Sequence, residues 1–328
     1  MGISTRDRAS AGWRRGPLLI GLAVLMATWA PRTGQAFGTV AVFGQHEEHA
    51  KITALALKDS GLGPMTLWVF GGGRGKFGAV GAPDRPGRGL ILNGAAHCDG
   101  GDWLPRDEYR QTRTQAADRL RNCRAFVFDR LEDAVTAAGQ MLDARGRPIP
   151  AQIAASEDCR FRGKDEGPAR CRALENMGLV FHTTQDFYSH TNWTDAPVSA
   201  ATPFEAARLG HDAPAPWMAS TEAAFPEGLV SGCFKFVPEF LFCRGRVRHA
   251  DLNKDEGLID MRDPAASTDG KGRGADGGFA RAVTAAVADS RSKWTLFETR
   301  LAERYGPERG RRMACLIRSD DPGACAPS

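Results

Sequence analysis

The sequence predicts an all-α fold. Several segments repeat apolar residues at helical spacing, few stretches alternate at period two, and proline and glycine gather between the periodic segments. These observations place one helical domain at residues 37–328, after a targeting segment at residues 1–36 and with a loop-rich insertion at residues 196–248.

The first 36 residues read as a signal peptide. Arg14 and Arg15 give a positive flank, and the apolar run 17–30 is shorter than the roughly 20 residues that span a bilayer. Gly34 and Ala36 suit cleavage before Phe37, while Thr28 and Ala30 suit an earlier cut. A retained anchor is the competing reading. The arginine pair resembles a twin-arginine signal, although the residues after it match poorly. The expected location is secreted, with no transmembrane helix left after cleavage.

Residues 47–60 follow as a helix with Ile52, Leu55 and Leu57 on one face and Gly61 as its stop. Residues 71–89 are loop. Their run Gly71-Gly72-Gly73-Arg74-Gly75-Lys76 invites a phosphate-cradle reading, but no Gly-Lys-Ser/Thr follows, and Pro83 and Pro86 would break the required helix. Residues 106–143 are expected as two helices. Gly167-Pro168 opens another, which carries Leu174, Met177, Val180 and Phe181. Six prolines between Pro197 and Pro238 keep the insertion irregular, and residues 263–277 are polar and glycine-rich. Residues 279–305 form a long amphipathic helix striped by Val283, Val287, Trp294, Phe297 and Leu301.

The formal charge of +4 belongs to the targeting segment. Without its five basic residues and one acid, the chain holds 38 of each sign, so it carries no strong nucleic-acid footprint. All eight cysteines follow the cleavage site, which suits a disulfide framework in an exported chain. Short-loop closure favours the neighbour pairs Cys98–Cys123, Cys159–Cys171, Cys233–Cys243 and Cys315–Cys325, although sequence alone leaves connectivity open. A four-cysteine zinc site is the rival, and no CxxC pair supports it.

The chemistry concentrates in the run from His182 to His190. Residues four and eight apart share a helix face, so His182, Asp186 and His190 align over two turns as a preset group of metal ligands. A structural polar cluster is the competing reading. The other histidines also sit near acids: His46 and His49 open the first helix, His97 precedes Asp99 and Asp102, and His249 precedes Asp251 and Asp255. The Asp251, Asn253, Asp255 spacing suggests a calcium loop, but Gly257 falls one place late and Arg262 occupies the closing Glu position. Asp99 and Asp102 read as partners that orient His97, or as loop acids. Tyr188 and Trp193 read as pocket walls or as core, and Asn192-Trp193-Thr194 as an incidental glycosylation sequon.

The ordered set His49, Asp84, His97, His182, Asp186, His190 resembles the zinc-dependent phospholipase C superfamily, which also includes single-strand nucleases and Het-C-like proteins. The run 182–193 is most similar to the Het-C-like branch, and the blocks around His46, His97 and His182 are similar to CinY-type actinobacterial secreted proteins. The resemblance covers most of the mature chain, in short blocks. It implies a helical fold holding two or three zinc ions, and a phosphodiester hydrolase acting on phospholipid or another phosphodiester. It assigns Asp84, His97, His182 and Asp186 to one zinc, with Asp84 also the base that orients water. It assigns the backbone of Phe37 at the mature amino terminus, His49 and the shared Asp186 to a second. Family members usually begin with Trp, so Phe37 departs from the pattern. The third ion is least matched: His190 falls earlier than the family's next histidine, and its final His and Glu are replaced by His249 with Asp251 or Asp255. A single-strand nuclease, and a non-catalytic secreted protein stabilised by zinc, are the alternatives.

Overall fold

The computed structural model describes residues 37–41, 45–161, 167–197, 205–234 and 239–325. The expected targeting segment lies outside them. Six helices of two turns or more organise the described residues: α1 (Glu48–Leu57), α2 (Pro64–Gly71), α3 (Arg113–Gly139), α4 (Ala169–His190), α5 (Gly278–Tyr305) and α6 (Pro307–Arg318). Among the described residues there is no strand, only isolated bridges, so the fold is all-α as expected.

α4 is the axis. All its residues but Arg172 are buried, with α3 and α5 packed along it and α1, α2 and α6 touching it as well. Its apolar side feeds an aromatic cluster in which Phe70 of α2 lies edge-on to Phe181 at 5.2 Å and to Trp294 of α5 at 5.9 Å. The predicted stripe of α5 is buried throughout. Arg170, at the start of α4, is itself buried and donates to the carbonyls of Leu316, Ile317 and Ser319, so it closes the C-terminal end of α6.

One expectation needs correction, and one is met. Residues 106–143 hold one long helix, α3, entered through a capping box between Thr112 and Gln115. With no proline inside it and no glycine before Gly139, nothing divides it. The glycine run at 71–76 ends α2 and turns back on itself between Gly73 and Lys76, so it introduces no helix and forms no phosphate cradle. The four disulfides join the neighbour pairs, and no cysteine is free.

Candidate metal centre

His182, Asp186 and His190 rise along α4 at one-turn intervals, and all three are buried. The other donors are brought in by loops. Asp84 ends a single 3-10 turn, Ala82–Asp84, that rests on α4. The approach requires Gly178: a Cβ there would lie 2.4 Å from the carbonyl carbon of Ala79. His97 lies next to Cys98, which is bonded to Cys123 of α3. His249 opens the one-turn helix His249–Leu252, and its amide donates to the carbonyl of Cys233. Gly232 permits that contact, since a Cβ would fall 2.3 Å from the His249 Cα.

The donors form three adjoining groups. In the first, His97 Nδ1 and His182 Nε2 lie 3.0 Å apart, at 2.9 and 3.1 Å from Asp186 Oδ2. Asp84 Oδ1 lies 3.9 and 3.8 Å from the same nitrogens. Ligands at 2.0–2.2 Å around a tetrahedral ion are about 3.3–3.6 Å apart, so this group closes on an ion with shifts of a few tenths of an ångström. Thr39 Oγ1 donates to Asp84 Oδ2, which holds the carboxylate in place.

The second group uses the other oxygen of Asp186. His49 Nε2 lies 3.2 Å from Asp186 Oδ1. Its Nδ1–H donates to Gln185 Oε1 at 2.7 Å, while the Gln185 amide nitrogen donates to Thr53 and Ser290. That chain leaves the Nε2 lone pair facing Asp186. The Phe37 ring packs edge-on against His49 at 6.1 Å.

The third group joins His190, His249, Asp99 and Asp255. His190 Nδ1–H donates to the carbonyl of His97 at 2.7 Å, which directs Nε2 towards Asp255 Oδ1 at 3.5 Å and Asp186 Oδ1 at 3.9 Å. His249 lies between two carboxylates, with Nδ1 3.0 Å from Asp99 and Nε2 3.2 Å from Asp255. Asp255 is the partner of His249; Asp251 points outward and pairs with Arg248. A calcium loop through both aspartates is therefore not formed.

His49 Nε2, Asp186 Oδ1 and His190 Nε2 are buried and make no hydrogen bond. Each such atom costs about 1–3 kcal/mol, and a cation among them removes the cost. Burial opposes charge on His97, but the hydrogen bond and charge of Asp186 prevail and hold it up at about 9. At His182 burial dominates and lowers the value. Asp186 is held well below the usual carboxylate range: burial opposes this, and the charges of His182 and His190 outweigh it. Three sets of donors, His49 with His182 and Asp186, Asp84 with His97 and His182, and Asp99 with His190 and His249, each bring ligand atoms within 4.8 Å of one another, close enough to hold a metal ion.

Several other residues fall elsewhere. Asp102 does not orient His97; it takes a bidentate pair from Arg246 and a bond from Tyr109. Tyr188 and Trp193 are core: Tyr188 donates to Asp289, and Trp193 donates to the Ala213 carbonyl and stacks on His211. Asn192 is buried with its amide fully engaged, so the sequon is not displayed. His46 is outside the centre, half-exposed beside Glu48. The roles of Gln185 and Asp99 escaped the sequence reading. Gln185 lies inside the His182–His190 run, but nothing local says which loop histidine it meets. Comparison of the chain with family models, with characterised proteins and with solved structures gives no match.

Proposed function

We propose that the chain is a secreted, zinc-dependent phosphodiester hydrolase of the phospholipase C type. The observation that carries this reading is Asp186, whose two oxygens face separate histidine groups. A carboxylate shared in this way suits adjacent cations rather than one structural ion. Asp84, His97, His182 and Asp186 would hold one ion, His49 and Asp186 with the amino terminus at Phe37 a second, and His190, His249 and Asp255 a third, with Asp99 orienting His249. Bound zinc supplies Lewis acidity towards phosphoryl oxygens and lowers the pKa of bound water towards about 7. The chain's own contribution is to exclude solvent and to position that water. Among the metal-facing side chains Asp84 is the most exposed, at 17%, so it is the carboxylate able to orient a water entering from outside.

The test is elemental analysis with turnover on a soluble phosphodiester. Wild-type protein is expected to hold two or three zinc per chain and to release product; His182→Ala is expected to lose both. Less than one equivalent of any transition metal would sink the reading. Near-complete burial of the other donors also suits a non-catalytic, metal-stabilised protein. Full zinc without turnover on lipid or nucleic-acid diesters would favour it, and turnover on single-stranded nucleic acid alone would favour the nuclease alternative.

A further inference from the structure

The three most exposed large apolar side chains of the described residues lie near one cavity. Among the described residues Leu92, Leu241 and Phe242 are 64, 59 and 55% exposed, more than any other large hydrophobic residue. Leu92 lines a cavity of about 340 Å³ together with Phe234, Arg119 and Asn122, and Asp99 of the third donor group lines it too. Leu241 and Phe242 belong to the one-turn helix Glu239–Phe242, on the short loop closed by Cys233–Cys243. The two cysteine Cα atoms are 5.9 Å apart. Phe242 therefore stands within about 10 Å of Cys233, which itself lines the cavity. Phe234 completes the link, with its ring 5.4 Å from that of His249.

Two arginines near the mouth of this cavity, Arg119 and Arg244, are exposed and make no ion pair among the described residues. Arg246, which also lines the cavity, is matched by Asp102. Aromatic and leucine side chains beside free arginines match the interface of an anionic bilayer, where the apolar groups sink to the headgroup–acyl boundary and the cations stay among the phosphates.

We propose that Leu92, Leu241 and Phe242 form a docking surface for anionic lipid, and that the neighbouring cavity, lined by Leu92 and Arg119, admits the lipid head group. The purpose of the surface rests on the hydrolase reading above; its existence is tested apart from it. The Cys233–Cys243 bridge ties the two ends of the loop together before contact, which lowers the ordering that docking requires. Arg119 and Arg244 give the attraction its salt dependence.

The experiment is flotation of the mature chain with phosphatidylglycerol vesicles, and with phosphatidylcholine vesicles as the neutral comparison. The expected result is binding to the anionic vesicles that weakens as salt is raised. Leu241→Ser with Phe242→Ser is expected to weaken it at least tenfold while zinc content, helical circular dichroism and turnover on a soluble phosphodiester stay unchanged. Both side chains are exposed, so the variant keeps its core. Failure of the wild type to float, or equal flotation of the variant, overturns the proposal. So does a variant whose only change is loss of a dimer in sedimentation, which would make the occupant a second copy of the chain. Flotation without hydrolysis of any diester leaves the docking surface standing and removes the hydrolase.

Discussion

Asp186→Asn asks whether one side chain serves two ions. The amide keeps the shape of the carboxylate but offers one oxygen, with an NH₂ where the other stood. On one side Oδ2 meets His97 at 2.9 Å and His182 at 3.1 Å; on the other Oδ1 meets His49 at 3.2 Å. Whichever way the amide settles, both sets of histidines lose the negative charge, and one of them faces a donor. Removing a partner that merely orients a ligand costs about 10–100-fold in metal affinity. Removing the ligand itself sets about 100-fold, or about 3 kcal/mol, as the floor for the weaker ion. The assay is competition against a chromophoric chelator, with zinc counted on the dialysed protein and helicity checked alongside. At least one ion should be lost while the helices persist. An Asn variant that keeps every ion at wild-type affinity would refute the shared-ligand argument.

Gly178→Ala should destabilise the chain by about 1–3 kcal/mol in denaturant melts and lower zinc content, because its methyl would displace the segment leading to Asp84. Cys98→Ser with Cys123→Ser opens a loop with a sequence separation of 25. Chain entropy then predicts a loss of about 3.5 kcal/mol, and zinc binding should weaken because the His97 loop is no longer tied to α3. Asp320 gives a pH signature. Burial opposes the shift, but hydrogen bonds from Thr66 and Met65 and the charge of Arg170 outweigh it and lower its pKa. A carboxyl depressed in the folded state adds stability that is present above its unfolded pKa and lost as pH falls through the folded one. Below about pH 4, stability should therefore fall more steeply in wild type than in Asp320→Asn.

The axis of the fold was legible because α4 places its polar ligands four apart and its apolar residues between them, so one periodicity reports both. α2 was not. Its sequence Pro-Met-Thr-Leu-Trp-Val-Phe-Gly is apolar almost throughout, and such a run has no period to read. α6 hides its stripe behind four arginines and Gly310. The donor set was readable as residue types but not as partners. Asp251 and Asp255 are equivalent in the local sequence; only the extended backbone at Asn253, with ψ 152°, ends the short helix and turns Asp255 inward. Asp99 behaves similarly, since its contacts lie with His190 and His249, far along the chain.

Both loops that deliver distant histidines are anchored at a disulfide: His97 adjoins Cys98, and the His249 amide is bonded to Cys233. A metal held by these histidines would make its affinity and the thiol chemistry one equilibrium observed from two ends. Every tenfold of metal affinity that depends on an intact bridge makes that bridge about 30 mV harder to reduce. The midpoint of these two cystines in a redox titration is thus a gauge of metal occupancy, and a reductant strips the metal-free chain first.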